Sequence, residues 1–301
     1  MHFQLEPILV VYNSNSGTGD NTSEIQEKIE ELKNRHDVTV VTVQELLNFQ
    51  KSKATIQSKN VKKIVVIGGD GTVNAALKLA VEQKLQLSVI PNGTFNHFAK
   101  HLHLPLDIDS AFAVLSHSDT KKIDVGRVNE HYFINFCSVG FYAELIAQRI
   151  RLQSIGGFKW SSFFKAFVQL FFNYKPIKLT FQKDSFETTK RTPLVFISNN
   201  EIEFGSVDIL NKRTTFDTGL LQLIIIKDYN RFYFILLGFL SLFFDMRKYI
   251  GFETLQLTEF AIDAKNKKMS VAVDGEVFKL DCPIQFSSAH LALDMRVSSK
   301  E

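Results

Sequence analysis

Residues 65–80 read VVIGGDGTVNAALKLA, and this stretch decides the fold. The apolar run at 64–67 is too short for a helix and stops at two glycines, as a buried strand does. From Val73 to about Glu82 the spacing of apolar residues predicts a helix. Asp70-Gly71 is a common hairpin dipeptide, but no strand follows it here, and Thr72 is placed to cap the helix. Glycines at 68, 69 and 71 let backbone N–H groups approach an anion closely, and the helix N-terminus adds partial positive charge. The stretch therefore predicts a phosphate cradle. No GxxxxGK[ST] sequence occurs, which excludes a classical P-loop.

Upstream, apolar residues 8–12 end at Asn13, Ser16, Gly17 and Gly19, after which Ile25, Ile29 and Leu32 recur at helical spacing. Residues 38–43 read as a second buried strand, 64–67 as the third, and 87–90 as a fourth followed by another glycine turn. Alternating strands and helices imply a parallel sheet covered on both faces, with ligands at the strands' carboxyl ends. Three polar, glycine-bearing loops fall at those ends, at 13–19, 68–72 and 91–96. Each alone is weak; together they point to one crevice. Beyond residue 124 the chain becomes strand-rich, with runs at 132–137, 179–182, 194–198, 220–226, 255–262 and 269–273. Two aromatic-rich segments, 158–174 and 232–249, are long enough to be helices.

With 301 residues, 45% hydrophobic and 22% charged, the chain has material for two cored domains and lacks the signature of disorder. Its 35 basic and 32 acidic residues, a net charge of +3, give no nucleic-acid footprint. Cys137 and Cys282 have no metal-ligand spacing and read as free thiols in a reducing compartment. The N-terminus reads as a first strand rather than a secretory leader. The longest apolar stretch, 232–244, falls short of the roughly 20 residues a membrane span needs, so no transmembrane helix is expected. His97, His101 and His103 do not share one helical face, which argues against a zinc site. Asp274 and Glu276 flank Gly275 directly after a strand. These residues fit a metal ligand and general base, or an Asp-Gly turn with an exposed Glu, and by themselves leave both open.

In order along the chain, YNSNSGTGD (12–20), VVIGGDGTVNAAL (65–77), IPNGTFNHFAKHLHLPLD (90–107), KKIDVGRVNEHYFINFCSVGFYAEL (121–145), TGLLQLIII (218–226) and VAVDGE (271–276) resemble a known set of motifs. The set is that of the diacylglycerol kinase catalytic-domain family, which includes bacterial lipid kinases, sphingosine kinases and ceramide kinase. The resemblance implies an α/β plus β fold: an α/β nucleotide-binding domain with a parallel sheet at 1–124, then a β-sandwich lipid-substrate domain at 125–301. The extreme C-terminus would return to the first domain, and the active site would lie in the cleft between the two. By the same carry-over Asn13, Ser16, Gly17, Thr42, Gly68, Gly69, Asp70, Gly71, Thr72, Asn74, Thr94 and Asn96 belong to the nucleotide site. Glu276 would accept the substrate hydroxyl's proton, with Asp274 helping orient hydroxyl or magnesium. Asp217 and the Leu220 carbonyl would belong to a magnesium site.

The implied activity is transfer of the γ-phosphoryl group of ATP, with Mg2+, to a hydroxyl of a diacylglycerol-like or sphingoid lipid. The implied setting is cytoplasmic, at a membrane surface touched through one or both aromatic segments: Trp160, Phe163, Phe164, Phe167 and Phe171 in the first, Arg247 and Lys248 ending the second. A homodimer is left open. GGDGT is shared with NAD kinases and phosphofructokinases, so a NAD kinase-like enzyme is one rival, and a catalytically weak lipid-binding or regulatory module on the same fold is another. The chain departs from the usual pattern in three places. His97 stands where many members have Asp, Asp217-Thr218-Gly219 where many have Asp-Gly, and FGS at 204–206 where a longer glycine-rich run is usual.

Overall fold

A computed structural model describes residues 6–13, 21–94, 96–116, 119–154, 159–199, 216–227 and 251–298. The chain divides into two compact units, residues 1–125 with 290–301, and residues 126–289.

In the first unit β1 (Pro7–Tyr12), β2 (Asp37–Val41), β3 (Lys63–Gly68) and β4 (Gln86–Pro91) lie parallel in the order β2-β1-β3-β4. Their register, Val10 beside Val40 and Val65, and Val65 beside Ser88, brings all four carboxyl ends to one edge. Around the sheet run α1 (Thr22–Lys33), α2 (Val43–Leu47), α3 (Phe49–Lys59), α4 (Asp70–Glu82), α5 (His97–His101) and α6 (Ile108–Ala113). Ile8, Val10, Val65, Ile67 and Ile90 of the strands pack with Ile25, Ile29 and Phe112 of the helices as one core. The alternate residues Leu9, Val11, Ile64 and Val66 on the opposite face are buried as well, the two-faced burial that continuous apolar strands require.

Three expectations change here. β2 is not buried: it is the end strand in this order, and Val40 is 41% exposed. α2 and α3 were not foreseen, although Thr42-x-x-Glu45 is a capping box whose hydroxyl accepts from Glu45 N while the Glu45 carboxylate accepts from Thr42 N. Such a box is a sequence-level helix start. Thr72 is not a cap: α4 begins at Asp70 with Gly69 as N-cap, and Thr72 is buried inside the first turn.

The second unit begins in β5 (Asp119–Val128), followed by β6 (His131–Phe133), β7 (Phe136–Gly140), α7 (Phe141–Ser154) and α8 (Lys159–Asn173). Then come β8 (Ile177–Lys183), β9 (Phe186–Thr192), β10 (Leu194–Ser198), β11 (Leu221–Ile226), β12 (Phe252–Leu257), β13 (Glu259–Ala264), β14 (Lys268–Val273), β15 (Glu276–Asp281) and β16 (Ile284–Val297). β12-β11-β10-β7-β14-β15 form one antiparallel sheet; β9, β8, β13 and the first part of β16 run antiparallel in another. Their inner faces share a core of Cys137, Val139, Val195, Ile197, Leu223 and Val271 from the first sheet with Phe181, Ile262 and Phe286 from the second. That is a β-sandwich.

Two runs expected to be single strands are each divided. Residues 255–262 belong to β12 and β13, which pair in different sheets, with the change at Thr258. Residues 132–137 are split between β6 and β7 at Ile134 and Asn135, whose amides bond to a side chain instead of a ladder. The aromatic segment at 158–174 is α8, whereas 232–249 lies outside the described residues. β16 continues beyond Ala289 into the first unit, where Met295 pairs in parallel with Leu87 of β4. Among the described residues no helix is long and apolar enough to cross a membrane.

Candidate functional site

The carboxyl edge of the first unit's sheet carries Asn13 after β1, Thr42 after β2, the 68–74 segment after β3 and the 92–96 loop after β4. The last two loops touch through their glycines. A Cβ on Gly69 would stand 3.0 Å from Gly93 Cα, and one on Gly93 would collide with the Gly69 backbone. Only glycine at both positions permits that approach. Asp70 locks the pair, its two carboxylate oxygens accepting from the backbone N–H groups of His97 (3.1 Å) and Phe98 (3.0 Å) at the start of α5. Asn96, at φ +50°, closes the second loop with Oδ1 accepting from Gly93 N (2.9 Å) and Nδ2 donating to Gly93 O (3.0 Å).

Gly68 lies under the Thr72 side chain, 2.5 Å from where a Cβ would sit, and Asn13 Nδ2 reaches Thr72 Oγ1 at 3.4 Å. Gly71 differs from its neighbours. Nothing among the described residues lies within 4 Å of its Cβ position, and it is exposed in the first turn of α4. No side chain caps the helix start, and a helix N-terminus without a capping side chain suits a phosphate. Thr94 is exposed on the neighbouring loop, and Asn74 Oδ1 is buried without a partner among the described residues. Thr42 lies at the same edge, its hydroxyl engaged in the α2 capping box. Ser16 and Gly17 fall outside the described residues. Burial, then the charge of His97, holds the His101 imidazole below its ordinary value despite the opposing pull of Asp70.

In the second unit Asp274 and Gly275 are the two turn residues of the β14–β15 hairpin, at φ +44° and +91°, between the paired Val273 and Glu276. Two positive φ angles make this a type I′ geometry. Asp274 Oδ2 accepts from Ile134 N (2.8 Å), and Oδ1 from Asn135 N (3.0 Å) and Phe136 N (2.9 Å). Three amides fix this carboxylate. Glu276 beside it is exposed, so the turn-with-exposed-Glu geometry is the one realised. Asn135 adds a polar side chain that sequence reasoning missed: its Oδ1 is buried without a partner among the described residues, and its carbonyl accepts from Ser198 Oγ (3.2 Å) and Asn199 N (3.1 Å). Asp217 is exposed, and Gly219 at φ +69° bends the chain before Leu220. Among the described residues no three His, Cys, Asp or Glu side chains gather as a metal cluster. The 204–206 stretch falls outside them.

Asp124 was read only as a domain boundary, yet it is 1% exposed and accepts from Leu291 N at 2.7 Å, with His290 Nδ1 at 2.8 Å. It ties the returning C-terminal strand into the first unit. A lone acid between the apolar Ile123 and Val125 was the available signal.

Residues 7–128 match the sequence profile of the diacylglycerol kinase catalytic domain. The chain is also 30% identical over 189 residues to a diacylglycerol kinase of Staphylococcus haemolyticus, covering 60% of this chain and 56% of that protein. Its identity to a diacylglycerol kinase of Staphylococcus aureus is 25% over 225 residues, covering 73% of this chain and 70% of the relative. The first alignment thus spans little over half the length of the relative. The fold as a whole is similar to the crystal structure of a diacylglycerol kinase from Bacillus anthracis, with a TM-score of 0.67 over 99% of both chains at 20% identity. The α/β architecture with a following antiparallel β region is the fold that relative shares.

Proposed function

We propose that the protein is an ATP-dependent lipid kinase that phosphorylates a hydroxyl of a diacylglycerol-like lipid, working as a peripheral, cytoplasmic enzyme at a membrane surface. The observation that carries this is the Gly69–Gly93 contact, locked by Asp70, within the segment that matches the diacylglycerol kinase catalytic domain. It sets two glycine loops side by side at a bare helix start.

Phosphoryl transfer asks the protein chiefly to position and to neutralise charge. Backbone N–H groups at 69–71 bind phosphate oxygens, Asn13 and Thr94 lie along the same sheet edge, and Asp70 and Asn96 hold the loops in shape. Glu276 accepts the proton of the lipid hydroxyl as it attacks the γ-phosphorus. Asp274, whose oxygens already serve three amides, acts by fixing the turn that carries Glu276. The exposed Asp217 carboxylate and the Leu220 carbonyl are hard oxygen donors that fit magnesium. Bound magnesium would supply positive charge against the phosphates.

α8 supports the membrane contact in a form different from the one expected. Phe163 and Phe167 pack with Phe141, Leu145 and Leu170 in the helix's own core, while Phe164, Val168 and Phe172 are 68%, 38% and 60% exposed. Steps of four put these three on one outward stripe, with the exposed Lys165 beside it.

The test is incubation of purified protein with labelled ATP and separate vesicles carrying diacylglycerol, monoacylglycerol, sphingosine, ceramide or undecaprenol, followed by chromatography of the labelled lipid. Label in phosphatidic acid is expected. Label in a sphingoid product would move the substrate class, and no labelled lipid from any vesicle would refute the kinase reading.

A further inference from the structure

A cavity of 730 Å³ lies wholly within the second unit, away from the Asp274-Gly275 turn. Its wall includes Lys268 at the opposite end of β14 from that turn, about 17 Å along the strand. Such a volume falls in the range of roughly 300–1,000 Å³ found for small-ligand sites.

Five lysines from separate parts of the chain line this cavity. Lys175 and Lys178 follow α8, Lys265 lies between β13 and β14, Lys268 opens β14, and Lys279 sits on β15 directly opposite Ser270. Lys268 pairs with Asp281 at 3.5 Å. Lys175, Lys178, Lys265 and Lys279 have no carboxylate partner among the described residues. A solvated lysine face usually interleaves acids; here one carboxylate, Glu144, shares the wall. Tyr174 gives the second observation. Its hydroxyl is buried without a hydrogen-bond partner among the described residues, next to Gly140 in the same wall, where a Cβ would stand 3.0 Å from it. Buried tyrosine hydroxyls normally have a partner. Burial, reinforced by Glu144, raises the Tyr174 phenol above its ordinary value. It is a fixed proton donor at neutral pH.

Clustered ammonium groups around a buried hydroxyl donor match one ligand chemistry, a phosphate monoester, which accepts several hydrogen bonds and carries more than one negative charge. We infer that this cavity is a phosphomonoester-binding site separate from the proposed catalytic residues. Two sources present that chemistry, a soluble phosphate ester and the headgroup of phosphatidic acid. Leu170 and Asn173 of α8 line the cavity next to the exposed Phe172, so a headgroup held there could keep its acyl chains along the apolar stripe.

The test uses the full chain in two arms, titration calorimetry with glycerol phosphate and flotation with phosphatidylcholine vesicles with or without phosphatidic acid. Lys178→Ala/Lys279→Ala should weaken binding at least about tenfold, and Tyr174→Phe about threefold. Lys51→Ala/Lys62→Ala, a surface pair in the first unit, should bind as wild type. Loss in the calorimetric arm assigns the site to soluble phosphate esters; loss confined to vesicles assigns it to the lipid headgroup. The inference is overturned if wild type binds neither probe, if the folded cavity variants bind as wild type, or if the control pair loses as much as the cavity pair.

Discussion

Asp70-Gly71 and Asp274-Gly275 are the same dipeptide at the end of a buried strand, and the chain turns them into different devices. Asp70 is the first residue of a helix, and Asp274 takes φ +44° in a two-residue hairpin turn. The residues C-terminal to each dipeptide decide the outcome. Thr72, Val73, Ala76 and Leu77 fall on the buried face of α4, whereas from Glu276 to Asp281 the chain pairs residue by residue with β14. In both places the carboxylate accepts amides from a distant loop, two at α5 and three at the β6–β7 break. The aspartates are thus positioning groups in both units. In the proposed mechanism the working chemistry falls to backbone N–H groups in the first unit and to the Glu276 carboxylate in the second.

The largest expected effect tests the second half of that division. Glu276→Gln should lower kcat roughly 10²- to 10⁴-fold with ATP affinity unchanged, and a wild-type kcat would remove Glu276 from the reaction. Next come the two aspartates. Asp274→Ala strands three amides and should cost about 3 kcal/mol or more in denaturant unfolding. Asp70→Ala strands two at a partly exposed helix start and should cost about 1–2 kcal/mol. Equal costs would erase the contrast between the two turns.

The smallest effect concerns His101. Its folded value lies below the ordinary 6.5, so between the two values the unfolded chain holds more protons and falling pH favours unfolding. Wild type should lose thermal stability as pH drops below neutral, and His101→Gln should flatten that slope. Identical slopes would mean the imidazole is as free in the fold as in the unfolded chain.

Much of this was legible in the sequence because it rests on local rules. Short aliphatic runs ending at glycines marked β1, β3 and β4, and the convergence of their loops followed from parallel order. The missing parts rest on non-local pairing. Nothing local shows that residues 252–257 and 259–264 enter different sheets, since it is their partners that set them apart. Thr72 looked like a cap because capping residues are recognised by side-chain type, whereas here a glycine holds the position and leaves the N–H groups bare. The aromatic content of α8 was visible, but its division into packed Phe163 and Phe167 and exposed Phe164 and Phe172 depends on where α7 lies.

The central claim is that the first turn of α4 is kept bare for a phosphate group. Gly69→Val would not isolate it, because a side chain there also strikes Gly93. Gly71→Ala does, since among the described residues nothing lies within 4 Å of the added methyl. Glycine to alanine inside a helix should leave stability unchanged or raise it by up to about 1 kcal/mol. ATP affinity, measured by calorimetry on the same sample, should fall about tenfold or more as the methyl occupies the phosphate's approach. Wild-type ATP affinity in a folded Gly71→Ala protein would contradict the account.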